Sequence, residues 1–374
     1  MGLHYLRSVG IEEESRAGRV LRAPGPVTTV YTHPLERVVF WSWRDANPFF
    51  HCIEALWMLA GRDDLKQLTP YVARMADFSD DGGVTQPGAY GKRWRDHHVP
   101  LGPDTQYAWN DQLNWAVKRF RDNTADRRVV VQMYDAGWDQ HAADLNGNDI
   151  PCNLTMLPWV QGGALHLTIF NRSNDILWGL YGANAVHFST ALEYLAGRIG
   201  LPVGTMTTVS NNFHAYVDRM PNLLVPMAVL ARDGWLDDPY YQAGPTYRAR
   251  QVEPYPLFTE WTGPEPDAAI RPSLERIIQE DLRIFFEHGA VEAATKARWP
   301  YIRRVAVPLA LAHQHWRTKR GEERYRGALR ILDQCVAPDW RLAAQQWINR
   351  RRDAWIRRGD SGVAGRQTDL EDRT

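Results

Sequence analysis

The chain has 374 residues, with 44 Lys and Arg balanced by 44 Asp and Glu and a hydrophobic share of 44%. That is enough for one large domain or a domain with an appendage. The neutral balance argues against a nucleic-acid binder working through bulk charge, while leaving room for a small anion held by a few arginines. Cys52, Cys152 and Cys335 are too few and too scattered for a disulfide framework, and no pair has metal-ligand spacing. The N-terminal MGLHYLRSVGIEEESR carries no apolar signal segment, and no run approaches the roughly 20 apolar residues of a membrane span. These features point to a soluble protein of a reducing cytoplasm. The 16 tryptophans read as core and interface packing.

In chain order, VTTVY (27–31) and RVVFW (37–41) read as short strands. Phe50, Ile53, Leu56, Trp57 and Leu59 have helical spacing within 47–68, with Gly61 as a stop signal. Residues 81–103, rich in Gly, Pro and Asp, read as a long loop, and 107–122 as a second helix. RRVVVQMY (127–134) is a buried-strand run, followed by a polar loop to 150. LTMLPWVQGGALHLTIFNRS (154–173) alternates apolar and polar residues around Gly162-Gly163, the strongest hairpin signal in the chain. Residues 183–199 read as a helix and 205–217 as a strand running into a helix. TGPEPDAAIRP (262–272) reads as a linker. Helical segments follow at 274–288, 306–316, 325–335 and 340–358, then a polar, disordered tail. The expected organisation is a catalytic domain over 1–262, a helical extension over 263–360 and a tail over 361–374. The Arg-rich segment 316–358 reads as solvated helix faces, with a partner or nucleic-acid contact as the other reading.

Two clusters carry chemistry. Cys152 follows Pro151 at a loop-to-strand junction, where it is either a buried structural thiol or a nucleophile. Downstream, Asn171-Arg172-Ser173-Asn174-Asp175 gathers anion-binding and hydrogen-bonding groups after an apolar strand. The Arg172 fork suits a phosphate, and the Ser173 hydroxyl can add a donor. Arg127 and Arg128 are adjacent on a strand start, so their side chains point to opposite faces and do not serve one site within one subunit.

In this order the motifs resemble those of the thymidylate synthase superfamily. The family's Pro-Cys nucleophile is similar to Pro151-Cys152, and its Arg-Ser-x-Asp to Arg172 through Asp175. A glycine turn, an Asn and a late His-x-Tyr resemble Gly179, Asn184 and His214-Ala215-Tyr216. Upstream, Tyr90-Gly91-Lys92-Arg93-Trp94-Arg95 resembles the Tyr-Gly-x-x-Trp-Arg loop. Glu54-Ala55-Leu56-Trp57-Met58-Leu59 resembles the Glu-Leu-Leu-Trp-Phe-Leu helix, and Asp126-Arg127-Arg128 the arginine pair. The order holds from about residue 20 to 258. The resemblance implies an α/β fold with a large mixed sheet backed by helices, two such sheets meeting across a homodimer interface. It implies a pyrimidine nucleoside monophosphate as substrate, 5,10-methylenetetrahydrofolate as co-substrate and no metal. Membrane and nucleic acid are not expected partners.

Roles follow from the resemblance residue by residue. Cys152 attacks C6 of the pyrimidine and makes C5 a carbon nucleophile. Arg172 serves both the phosphate and the Cys152 loop, and Ser173 the phosphate. Arg127 and Arg128 reach the neighbouring subunit's phosphate, and Arg22 aligns with a mobile N-terminal phosphate arginine. Glu54 organises waters and moves protons; Tyr90 assists loss of the C5 proton; Asp175 bonds the pterin; His214 and Tyr216 bond the sugar. Asn184, donor and acceptor in one amide, matches uracil N3–H and O4, whereas the family's deoxycytidylate enzymes carry Asp there. The run Gly179–Asn184 is one residue longer than the family segment.

Three departures bear on the product. The residue after the nucleophile is Asn153 rather than His, and Met75 aligns with a Trp that stacks near the reactive methylene. Val252-Glu253-Pro254-Tyr255-Pro256 resembles the penultimate family motif, but the chain then continues into helices instead of a closing tail. All three bear on the last step, and the missing closure tail and the lost Trp favour water over hydride as the group that meets the exocyclic methylene. The expected enzyme is therefore a deoxyuridylate 5-hydroxymethylase of the phage type, in the host cytoplasm. The alternatives are a divergent thymidylate synthase, a deoxycytidylate or cytidylate hydroxymethylase, or a non-catalytic relic that binds nucleotide or nucleic acid.

Overall fold

Helix α2 (Pro48–Leu59) is the centre about which the chain is built, because all twelve of its residues are buried. Asn47 caps it by accepting from Phe50 N (3.1 Å), Pro48 occupies the first turn, and Gly61 at φ 67° reverses the chain after Ala60. The computed structural model describes residues 2–16, 18–42, 44–100, 107–217, 239–240, 251–259 and 274–360. The linker at 262–272 and the tail at 361–374 lie outside the described residues.

Before α2 come α1 (Gly2–Val9) and strands β1 (Ile11–Ser15), β2 (Gly18–Arg22) and β3 (Val27–Tyr31). After it come α3 (Tyr90–Arg95), β4 (His97–Pro100), β5 (Tyr107–Asn110), α4 (Gln112–Asp122), β6 (Val131–Gln132) and α5 (Ala136–Asp144). Then follow β7 (Asn153–Gln161), β8 (Ala164–Asn171), β9 (Asn174–Asp175), α6 (Ala183–Ile199), β10 (Val203–Ser210) and β11 (Phe213–Tyr216). The main sheet has the order β3-β10-β8-β7-β6 and a smaller one the order β1-β2-β11-β9, each mixing parallel and antiparallel pairs. The β7–β8 hairpin turns on Gly162 and Gly163, both at positive φ (59° and 76°), as a two-residue turn requires. β8 alternates buried and half-buried residues, its Leu165, Leu167 and Ile169 facing the helices. Helix α6 crosses from β8 back to parallel β10 and ends on Gly200 at φ 89°. This is the mixed α/β architecture that the motifs implied.

The C-terminal helices are α7 (Leu274–Arg283), α8 (Ala290–Lys296), α9 (Val307–Thr318), α10 (Gly321–Leu332) and α11 (Pro338–Asp360), and they join α2 in the main core. Phe49 meets Trp347 edge-on at 5.5 Å, Tyr71 stacks on His313 at 4.5 Å, and Gln67 donates to Phe286 O (2.6 Å). α2 and these helices share one hydrophobic core. Arg350 and Arg351 of α11 grip Asp45, a residue at φ 46°, just before α2.

Several expectations are corrected. RVVFW (37–41) is irregular, because Arg37 is buried as an ion partner of Glu193 rather than alternating out of a strand. Within 47–68 the helix ends at Leu59, in keeping with the Gly61 stop signal, and a short 3-10 turn follows at Leu65–Gln67. The expected loop 81–103 contains α3 and β4. Residues 107–110 are a strand, and α4 begins only after Asp111, whose carboxylate accepts from Asn114 N (2.9 Å). The 127–134 strand contracts to two residues, α5 forms within the expected loop, and 213–216 is a strand instead of a helix.

Candidate active site

Cys152 sits half-buried at the mouth of β7, and Arg172 fixes its loop. The Arg172 guanidinium donates to Pro151 O (2.9 Å) and Ile150 O (2.7 Å), and Arg172 N donates to Cys152 O (2.9 Å). The β7–β8 pairing therefore brings together a cysteine and an arginine twenty residues apart, while leaving the arginine largely exposed for an anion. Burial raises the thiol above its ordinary range; Arg172 and Arg16 pull it down and Asp149 pushes it up. The Tyr90 hydroxyl is raised by burial and by the nearness of Cys152 and Asp149, and lies beside the Asn153 amide. α3 begins at Tyr90 because Gly91 lets its backbone touch Met58 of α2, where a Cβ would come within 2.3 Å of a carbonyl oxygen.

Asp149 was not anticipated. Its carboxylate accepts from Gly88 N (2.7 Å), and burial pushes it up to about 6. Above that pH its charge opposes the Cys152 thiolate. The Asp149→Asn protein is expected to be alkylated by iodoacetamide at least about twofold faster at pH 7.5, with the advantage vanishing at pH 5, where Asp149 is already neutral. Equal rates at both pH values would show that the carboxylate does not act on the sulfur.

Asn153, the residue after Cys152, lines a recess with Asn171, Asn174, Gly179, Asn184 and Phe188, among others. Asn184 stands in the first turn of α6, and Gly179 is required there. A Cβ on it would meet Asn174 Oδ1 at 2.4 Å and Asn184 Nδ2 at 2.9 Å. Just before α6 the chain makes a π-helical turn, Ile176–Leu180, closed by Tyr181 N donating to Ile176 O (2.8 Å). Such turns are rare and gather at functional sites, and this one leads into the helix whose Asn184 lines the recess.

Glu54 is buried on α2 and is paired with His187 of α6, Nε2 to Oε2 at 2.8 Å. One turn earlier on α2, burial holds His51 well below the ordinary imidazole range, helped by Arg44 and His187. His187 gave no signal in the sequence, since a histidine on an apolar helix face reads as core and its partner is 133 residues away.

The smaller sheet assembles the remaining candidates. Parallel pairing of β9 with β11 sets Asp175 beside His214, and antiparallel pairing of β11 with β2 sets His214 beside Arg22. Asp175 caps the π-helical turn through Leu177 N (2.9 Å), and burial raises its carboxyl while His214 and Arg44 pull it down. Tyr216 meets His214 edge-on at 5.2 Å, and Ser173 is half-buried between β8 and β9. Arg22 is held in a fork by Glu13 (2.8 and 2.7 Å). Arg127 and Arg128 precede β6 instead of starting a strand, and both are exposed. Arg128 is bonded to Asp126, and among the described residues no hydrogen bond joins either arginine to the Cys152 loop. Met75 is buried in the main core, in the 3-10 turn Ala73–Phe78. Among the described residues no group of His, Cys, Asp or Glu is arranged to hold a metal, and no helix is long and apolar enough to cross a membrane.

Comparison with known proteins agrees with this geometry. The family model for thymidylate synthase matches residues 44–233. A deoxyuridylate hydroxymethyltransferase of Pseudomonas phage M6 is 41% identical over 97% of this chain and 95% of its own length. A deoxyuridylate hydroxymethyltransferase of Bacillus phage SP01 is 35% identical over 54% of this chain and 52% of its own. A thymidylate synthase of Symbiobacterium thermophilum is 30% identical over 58% and 69% respectively.

Proposed function

The chain belongs to the thymidylate synthase family, and from that premise we propose that it is a deoxyuridylate 5-hydroxymethylase. The observation that carries this reading is the near full-length likeness to a phage deoxyuridylate hydroxymethyltransferase, which extends through the C-terminal helices. The site supports it. Cys152 Sγ adds to C6 of the base, assisted by Arg172, which anchors the loop and leaves its outer edge for the phosphate. Asn184 faces the recess with an acceptor for N3–H and a donor for O4, which suits uracil. Glu54, held by His187, and Tyr90, beside Cys152, manage the protons at O4 and C5. Ser173 joins Arg172 at the phosphate, and His214 with Tyr216 takes the sugar.

Methylenetetrahydrofolate supplies the one-carbon unit at the oxidation level of formaldehyde. The residues present fit it, since Asp175 is a half-buried carboxyl beside His214, suited to the N–H edge of a pterin. Met75, buried where the family carries a stacking Trp, leaves the methylene less shielded from water. Arg127 and Arg128, exposed at the β6 edge, serve the phosphate site of a second copy, so the working unit is a homodimer. The helices of residues 274–360 act as a brace on α2, the helix that carries Glu54.

Incubation with deoxyuridylate and methylenetetrahydrofolate, followed by mass spectrometry, tests the reading. The expected product is 5-hydroxymethyldeoxyuridylate with tetrahydrofolate released. A methyl product with dihydrofolate would make the enzyme a thymidylate synthase.

A further inference from the structure

Asn153, Asn171 and Asn174 form one wall of the recess and are 0%, 3% and 3% exposed. Asn171 Nδ2 donates to Asn153 Oδ1 across the β7–β8 ladder, and Asn174 Nδ2 donates to Ser210 Oγ (3.0 Å). Asn153 Nδ2, Asn171 Oδ1 and Asn174 Oδ1 remain buried and outside the geometric hydrogen bonds of the protein, with the Tyr90 hydroxyl lying beside the Asn153 amide. Turning both members of the Asn153–Asn171 pair over leaves the same inventory, one free N–H group and one free carbonyl. Buried amide groups left unpaired cost stability, and folded proteins pair nearly all of them. Three on neighbouring residues that line one cavity form a donor-and-acceptor cradle, the partner set that a single water requires.

The cradle shares its recess with Asn184, the amide that the hydroxymethylase reading assigns to N3–H and O4 of the uracil. Asn153 follows Cys152 directly, so the cradle and the nucleophile are set by the same strand end. We propose that Asn153 and Asn171, with Asn174, seat the water that adds to the exocyclic methylene of the base; this rests on the hydroxymethylase reading. The water oxygen bonds to the exocyclic carbon, and the C=C pair moves through C5 to the C4 carbonyl. The water's proton is taken at O4. Collapse of that enol restores the C5=C6 bond, breaks the C6–S bond and returns the proton to the Cys152 sulfur. Nothing is oxidised or reduced in this step. The amides are positioning residues: they hold the water and take no proton.

The test separates arrival of the one-carbon unit from its hydration. With deoxyuridylate tritiated at C5, tritium release counts methylene formation, and mass spectrometry counts hydroxymethyl product. In Asn171→Leu the product formed per tritium released is expected to fall at least about tenfold. The deficit should appear as a covalent adduct on Cys152, as methyl product, or as a thioether when an exogenous thiol is added. An unchanged ratio, whether or not turnover slows, overturns the proposal. The ratio is counted per committed turnover, so it does not depend on the folded fraction. Should Asn171→Leu release no tritium, Asn174→Ala is read in the same way, and an unchanged ratio there overturns the proposal. A methyl product from the unaltered enzyme would instead refute the hydroxymethylase reading before any variant is made.

Discussion

The Cys152→Ala enzyme is expected to lose turnover by on the order of 10⁶-fold, the usual cost of removing a covalent nucleophile, and still to bind deoxyuridylate. Without the sulfur nothing adds to C6, and C5 of a uracil is then no nucleophile toward the one-carbon donor. The binding geometry does not depend on the thiol. The loop is held by Arg172 through the carbonyls of Ile150 and Pro151, and the Cys152 Sγ contact with Ile150 O is a weak one at 3.9 Å. Calorimetric titration with nucleotide checks binding, and mass spectrometry checks product. Retained turnover would remove Cys152 from the mechanism, and loss of binding together with turnover would make it a structural residue.

The largest expected stability effect lies elsewhere, at Glu193 on α6. Its carboxylate faces Arg37, both side chains being about 5% exposed, and it accepts from Leu257 N (2.7 Å). Arg37 also donates to Thr190 Oγ1 (2.9 Å). Burial works against the Arg37 charge, and Glu193 and the nearby Tyr301 overcome it, so the guanidinium is held more firmly protonated than usual. Glu193→Ala strands that charge and leaves the Leu257 amide without its acceptor, at an expected cost of about 3–5 kcal/mol. Urea denaturation measures it. A companion double variant, Arg37→Met with Glu193→Leu, should be less destabilised than the single one, because the cost comes from the unpaired charge. A loss below about 1 kcal/mol in the single variant would mean that water reaches the pair.

What could be read in the sequence was whatever local pattern decides. The β7–β8 hairpin follows from alternation and from two glycines that accept positive φ, and α6 from its helical periodicity and Gly200. The pairing of Arg172 with the Cys152 loop came from the family resemblance, and the β7–β8 hairpin realises it by returning the chain to its start. What failed depended on distant partners. Arg37 drew RVVFW out of a strand by pairing with a residue 156 positions away. The start of α4 was recoverable from Asp111, an N-cap residue followed by a helical run, yet 107–110 was merged into the helix. The Glu54–His187 pair and the amide wall arise from packing α2, α6 and the sheet together, and no spacing in the chain encodes them.

The grip of Arg350 and Arg351 on Asp45 spans 305 and 306 residues of chain. Contacts of such sequence separation form late, because the entropy of closing the intervening loop must be met before they stabilise anything. During synthesis the face of α2 that carries Phe49 therefore stays incompletely covered until residues 338–360 have left the ribosome, since Trp347 on α11 packs on it together with His313 on α9. The same helix carries Glu54. Burial of the helix that carries Glu54 is thus coupled to translation of a distant segment, and the nascent enzyme depends on protection of that apolar face for nearly the whole time it is being made.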